Sequence, residues 1–119
     1  MKTRHPGEVW LADLGLAAKP RPVVILSRAD DDPPRVLFLY APITSQYRGS
    51  TYEVELGKLP FLHQPSTVNV QGIGSLPEPR FGRKLGAVSA NQLREIQKAI
   101  LFAFGLDHLS QAESGDKLP

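Results

Sequence analysis

The amino-acid sequence predicts a mainly β fold, a small barrel or sandwich of short strands with one C-terminal helix packed on it. Short apolar runs recur along most of the chain, and they are too short to be helices. The chain contains 11 prolines and 10 glycines in 119 residues, which favours frequent turns. One clear helical pattern is present, and it begins after Ser89.

The first half of the chain carries three predicted strands. Residues 8–14 are apolar with polar punctuation, and residues 23–26 form a β-branched run too short for a helix. Residues 36–41 form the third run, and Pro42 is expected either to end it or to place it at a sheet edge. Because a short Asp- and Pro-rich loop at 29–34 joins the last two runs, these strands are predicted to be antiparallel neighbours.

Three further strands are predicted in the second half. Residues 51–56 alternate polar and apolar side chains, which is typical of a half-exposed strand. Residues 67–70 are predicted to form a further strand, and residues 83–88 to add a last short one. The glycines and the proline within 72–77 are expected to interrupt regular structure between them.

The predicted helix begins after Ser89, because Ser89 and Gln92 have the spacing of a capping box. Gly105 is expected to end it. Residues 1–106 are therefore expected to form one domain, and residues 107–119 a polar, flexible tail. The apolar side chains at helical spacing, which define the face that packs on the sheet, are Leu93, Ile96, Ile100 and Phe104.

Composition excludes several classes of protein. Cysteine is absent, so neither a disulfide framework nor a cysteine-ligated zinc site is possible. The first residues carry charge without an apolar run, which argues against a secretory signal. No stretch approaches the ~18 apolar residues of a membrane helix. We expect a cytoplasmic protein without a membrane partner.

Metal and nucleotide chemistry are also disfavoured. The histidines, His5, His63 and His108, are far apart and lack a spaced partner, so neither a metal site nor a cofactor is predicted. No glycine-rich phosphate loop links a strand to a helix. The net charge is only +2, but basic residues gather late in the chain. That cluster is either a phosphate-binding patch or a solvated surface.

Three segments stand out as candidate functional sites. Arg21 lies between two prolines before a buried strand, and Thr44 and Ser45 lie just past a predicted strand end. A basic, glycine-containing segment at 80–86 leads into the helix cap. Taken singly, each also fits an ordinary surface charge or turn.

The combination and order of these segments resemble the MazF/PemK family of toxin–antitoxin ribonucleases, over about residues 7–106. The family's Gly-acidic-apolar-aromatic strand ending in Asp is matched by 7–13, and its Arg-Pro-apolar strand closed by Ser by 21–27. An Ile-Thr-Ser-Gln-like segment is matched by 42–46, and the Arg-Leu-Gly-Arg-Lys-Leu-Gly-like stretch with its capped helix by 80–105.

The resemblance implies an SH3-like barrel of the MazF/CcdB type, a homodimer and a cognate antitoxin that wraps the toxin. It also implies cleavage of single-stranded RNA, such as mRNA, by attack of a ribose 2′-hydroxyl, without metal or cofactor. The family's catalytic arginine and threonine map onto Arg21 and Thr44. The residues expected to bind RNA are Lys19, Ser45, Gln46, Tyr47, Arg48, Arg80, Arg83 and Lys84.

Physical chemistry agrees with these two assignments. The scissile phosphate gains negative charge as the 2′-hydroxyl attacks, and a guanidinium can meet two phosphate oxygens at once. A threonine hydroxyl can donate to a third oxygen. Since arginine is a poor general base, Arg21 is expected to act electrostatically and the base is left unassigned. His5 is a candidate by chemistry alone.

Two loops depart from the family pattern. The loop at 16–20 is short and lacks the family's acid, and the segment at 71–74 lacks both the family's acid and its base. An alternative therefore stays open, a binding protein with the same barrel that has lost cleavage. Such a protein would act on RNA, on an antitoxin or on a protein target such as a topoisomerase.

Overall fold

A computed structural model describes residues 3–15 and 19–109. Residues 16–18, in the loop before Arg21, and residues 110–119, most of the predicted tail, lie outside the described residues. The described elements are β1 (Glu8–Ala12), β2 (Arg21–Ile25), β3 (Leu37–Thr44), β4 (Glu53–Gly57), β5 (Ser66–Asn69), β6 (Gly74–Pro77), β7 (Phe81–Ala87) and α1 (Ala90–Ala103), with short 3-10 turns at Val70–Gly72 and Glu78–Arg80.

The strands form one antiparallel sheet in the order β4-β5-β3-β2-β1-β7, and β6 pairs with β3 beside β5. Val24 lies opposite Ala41, which confirms that the two apolar runs flanking the Asp- and Pro-rich loop are neighbours. The mainly β fold with its C-terminal helix is confirmed. The sheet is not closed, because in the described part of the chain β4 and β7 end it without pairing with each other.

Pro42 neither ends its strand nor lies at an edge. It stands inside β3, opposite Val23 of β2. The Leu26 N–H donates to the Leu39 carbonyl at 2.9 Å. Hydrogen-bonded and non-hydrogen-bonded residue pairs alternate along antiparallel strands, so Pro42 falls at a position that makes no hydrogen bond to β2. On its other side β3 changes partner, from β6 at Tyr40 to β5 at Ile43. No ladder bond is therefore lost, and β3 continues to Thr44.

Strand β6 was missed by the sequence prediction, which treated its glycine and proline as breakers. Gly74 lies opposite Tyr40, and a β-carbon there would come within 2.8 Å of the Tyr40 hydroxyl. Pro77 is the last residue of β6, where a missing N–H is tolerated. Gly74 thus suits this strand because the Tyr40 side chain leaves no room for a β-carbon, and Pro77 suits it because it stands at the strand end.

Helix α1 begins as predicted. The Ser89 hydroxyl accepts from the Gln92 N–H and the Gln92 side chain accepts from the Ser89 N–H, both at 3.0 Å. Ile96 is fully buried, in the same core cluster as Val9 and Val24, so the helix packs on the sheet. Phe104 departs from the predicted apolar face: it is the C-cap and is 63% exposed, because the helix has already ended.

Strand β2 is buried on both faces. Val24 belongs to the core beneath α1, whereas Ile25 packs with Trp10 and Phe38 in a second cluster. Arg4 closes that second cluster and is only 3% exposed. Its guanidinium carbon lies 4.2 Å from the Trp10 ring centroid and 4.7 Å from those of Phe38 and Phe81.

The charge of Arg4 is offset by Glu78, whose Oε1 lies 3.4 Å from its Nη1. Three aromatic faces and one carboxylate therefore stabilise this buried cation. Within residues 3–15 and 19–109, no helix is long and apolar enough to cross a membrane.

Candidate active site

A groove of about 710 Å³ runs across the ends of β2 and β3, and we call it the first groove. Its lining brings together four of the residues singled out from the sequence, although they come from three strands and a loop. They are Arg21, Thr44, Ser45 and Arg83. The family resemblance assigns the chemistry to Arg21 and Thr44, and both line this groove.

Arg21 is the first residue of β2, and the strand pairing places it opposite the buried Ala12 of β1. Its side chain is exposed. Among the described residues, the Arg21 guanidinium forms no ion pair or hydrogen bond. Its five donors are therefore available to an anion in the groove.

Thr44 is the last residue of β3, and it lies opposite Thr67 of β5. Its Oγ1 accepts a hydrogen bond from the Gln46 N–H at 3.2 Å. A hydroxyl has one proton to donate and two acceptor positions, so this bond leaves the Thr44 proton free. Thr44 can therefore donate to an oxygen of a ligand while its own oxygen is held in place.

A second groove, of about 600 Å³, lies on the other side of Thr44. Pro42 and Thr44 line both grooves, and Gln46 and Arg48 line the second one. Arg48 donates from Nη2 to the Gln46 side-chain oxygen at 3.0 Å. The two grooves thus meet at Pro42 and Thr44.

Glu53 holds the loop that carries Arg48. Its carboxylate accepts from the Ser50 N–H at 2.9 Å, from the Ser50 hydroxyl at 2.8 Å and from the Arg48 N–H at 3.3 Å. The hydrogen bonds from Ser50, backbone first, hold the pKa of Glu53 below its ordinary value. The carboxylate therefore stays ionised and keeps the loop in place.

The remaining predicted RNA-binding residues are placed less centrally. Arg80 donates from Nη1 to the Asp13 carbonyl at 2.9 Å, which ties it to the loop after β1. Lys84 lies 3.5 Å from a Glu8 oxygen, outside the first groove. Lys19 is exposed, and Tyr47 is 48% exposed, but neither lines either groove.

Glu8 is held by several groups besides Lys84. Burial alone would raise the pKa of Glu8, but the Trp10 indole N–H donates to it at 2.9 Å and the backbone at His5 also donates to it. Together with Lys84 these contacts outweigh burial, so the pKa of Glu8 lies below its ordinary value of 4.5.

The structure places His63 in the lining of the first groove and His5 outside that lining. His5, the candidate base, has its Nδ1 3.3 Å from Glu8 and does not line the first groove. Its position outside the groove therefore does not favour that role. His63, which the sequence suggested only as an isolated residue, lines the groove with Arg21 and Thr44. Pro60 and Pro65 flank His63 in the sequence, and such prolines restrict the backbone of a loop, which was the only local indication that this histidine is held in place.

The electrostatic character of the first groove follows from its lining. Arg21 and Arg83 carry positive charge, and Thr44, Ser45 and Ser66 supply hydroxyls. None of the described lining residues is an aspartate or a glutamate. Such a surface suits a phosphate group, which guanidinium and hydroxyl donors bind well.

Comparison with known proteins supports a nucleic-acid role. A family model described as PemK-like, MazF-like toxin of type II toxin–antitoxin system matches residues 5–104. The chain is 37% identical to Endoribonuclease MazF3 of Mycobacterium tuberculosis over 89 residues, which cover 75% of this chain and 86% of that protein.

Solved structures agree with this match. The M. tuberculosis toxin MazF-mt6 is 35% identical, with a TM-score of 0.74 over 84% of this chain and 98% of that one. An endoribonuclease in complex with its cognate antitoxin, from a mycobacterial species, is 25% identical. Its TM-score is 0.76 over 87% of this chain and 96% of that one.

Proposed function

Because the chain belongs to the PemK-like, MazF-like family of toxins of type II toxin–antitoxin systems, we propose that it is an endoribonuclease that cuts single-stranded RNA without a metal ion. The observation that carries this proposal is the groove shared by Arg21 and Thr44. The similar M. tuberculosis protein is itself named an endoribonuclease.

The reaction begins when the ribose 2′-hydroxyl loses its proton and attacks the adjacent phosphorus. Negative charge then grows on the non-bridging phosphate oxygens. Arg21 meets two of these oxygens, and Thr44 donates its free hydroxyl proton to the phosphate. Donors fixed in advance where charge develops give large rate gains. The 5′-oxygen leaves, and the upstream product ends in a 2′,3′-cyclic phosphate.

The RNA strand on either side of the cut is held by both grooves. Arg83 neutralises a neighbouring phosphate in the first groove, and Gln46 and Arg48 contact the strand in the second. Ser45 lies in the first groove beside Thr44, whereas the remaining predicted contacts, Lys19, Tyr47, Arg80 and Lys84, lie outside both grooves and would meet more distant parts of the strand. A flexible single strand can follow both grooves past Thr44, which suits single-stranded RNA better than a stiff duplex.

Two protein partners complete the proposal. A cognate antitoxin is expected, since the similar mycobacterial endoribonuclease is held in complex with one. A two-fold homodimer is expected because apolar side chains are exposed around the end of α1, namely Phe102, Phe104, Leu106 and Leu109. A monomer in light scattering at micromolar concentration would contradict the dimer. We place the protein in the cytoplasm, where messenger RNA is found.

The experiment that tests the activity uses a long single-stranded messenger RNA, with the cut ends mapped by sequencing. We expect cuts in the presence of EDTA, products with a 2′,3′-cyclic phosphate, and resistance of RNA that carries a 2′-deoxy nucleotide at the cut. Activity that EDTA abolishes, or products with a 3′-hydroxyl, would refute the mechanism. The binding-only alternative is not favoured, because Arg21 and Thr44 are both present in one groove.

A further inference from the structure

The proposed reaction needs a group that removes the proton of the 2′-hydroxyl, and the first groove offers few. Its described lining residues include two arginines, which stay protonated, and no carboxylate. Among the described lining residues, His63 alone carries a side chain that accepts a proton near neutral pH.

We propose that His63 is the general base of the cleavage reaction, an inference that rests on the proposed function. The exposed imidazole of His63 lies on the loop between β4 and β5, and this loop borders the groove that holds Arg21 and Thr44. Histidine is the side chain most often used for this task.

The loop holds His63 firmly on both sides. Before it, the Lys58 ammonium donates to the carbonyls of Leu59 and Leu62, and the Leu62 N–H donates to the Leu59 carbonyl at 3.1 Å. After it, the Ser66 hydroxyl donates to the Gln64 carbonyl at 2.9 Å. A catalytic group must be held close to its productive geometry, and these bonds fix the backbone that carries His63.

A packing contact fixes the same loop against the sheet. The Phe61 ring lies over Gly86 of β7, so closely that a β-carbon at Gly86 would come within 2.3 Å of the ring. Gly86 in turn pairs with Val9 of β1, one of the fully buried core residues. The wall of the groove that carries His63 is thus anchored to the centre of the fold.

The charged groups around His63 do not compete for the proton. Arg21 on β2 and Arg83 on β7 line the same groove, and Lys58 stands at the base of the loop. All three are cations. In the step itself, an imidazole nitrogen of His63 takes the 2′-hydroxyl proton as the 2′-oxygen bonds to phosphorus. The bond from phosphorus to the 5′-oxygen then breaks, and the imidazolium returns that proton to the 5′-oxygen, directly or through water.

The test uses a short oligonucleotide that contains a mapped cut site, under single-turnover conditions across a range of pH. For wild-type protein we expect the rate to rise with pH and then to level off, because only an unprotonated base can accept the 2′-hydroxyl proton. His63→Ala and His63→Gln should each lower the plateau by about 10²–10⁴-fold, the usual contribution of general-base catalysis. Both variants should also lose the pH dependence, and added imidazole should restore part of the rate of His63→Ala.

The matched control is His5→Ala, which removes a histidine that does not line the groove and should keep the wild-type rate and profile. If His63→Ala retains the wild-type pH profile, or if imidazole fails to rescue it while its binding of 2′-deoxy oligonucleotide is unchanged, the base assignment is wrong and the ribonuclease assignment stands. If the wild type cuts no RNA, both assignments fall.

Discussion

Replacement of Arg21 by alanine is the sharpest test of the proposed chemistry. Arg21 is exposed and makes no ion pair or hydrogen bond among the described residues, so the fold does not depend on its side chain. We therefore expect the free energy of unfolding to change by no more than about 0.5 kcal/mol. Any loss of cleavage then reports on the reaction alone.

The size of the loss follows from the groove. Removal of one preorganised donor to a developing oxyanion costs about 10²–10³ in rate. The first groove is open to water and keeps a second cation at Arg83, so we expect the lower end of that range. A loss of about 10²-fold corresponds to about 2.7 kcal/mol of transition-state stabilisation. Arg21→Lys should recover only part of it, because an ammonium cannot make the bidentate contact.

The assay is single-turnover cleavage of the mapped oligonucleotide, with thermal unfolding measured on the same preparations. Arg35→Ala is the matched control, because it also removes one exposed arginine but lies outside both grooves. A wild-type rate for Arg21→Ala would refute the electrostatic role. An equal loss in Arg35→Ala would show that net charge, and not position, determines the rate.

Three further predictions follow from particular contacts. Thr44→Ala should slow cleavage less than Arg21→Ala in the same assay, because a neutral hydroxyl is a weaker donor than a guanidinium. The fold lowers the pKa of Glu8, so the Glu8 carboxylate stabilises the protein at pH values above its ordinary pKa of 4.5. This stabilisation is lost as the pH falls through the lower pKa of Glu8 in the folded state. Glu8→Gln should therefore lower the melting temperature at neutral pH, with the difference vanishing in acid. Gly86→Ala should displace the Phe61 ring and with it the loop that carries His63. The cleavage rate should therefore fall strongly while the melting temperature changes little. An unchanged cleavage rate would show that the position of this loop does not matter for the reaction.

Much of the candidate site was predictable because its residues lie in short local patterns. Arg21 precedes a β-branched strand, and Thr44 lies in a segment that resembles a known family, so the sequence alone identifies both as candidates. The sequence could not show that Arg80 is tied to Asp13, 67 positions away, since a surface arginine has the same local pattern whether or not it is bonded. Nor could it distinguish His5 from His63.

The sequence by itself determined the mainly β fold, the capped helix after Ser89 and the family of the chain, because each is encoded in periodicity or in ordered motifs along a few residues. Only the tertiary structure decided where β3 ends, that β6 exists and that His63 borders the groove of Arg21 and Thr44. These features depend on contacts between residues far apart in the chain. Pro42 and Gly74, for instance, are compatible with a strand only because of the residues of the adjacent strand that lie opposite them. The local sequence does not show which residues those are.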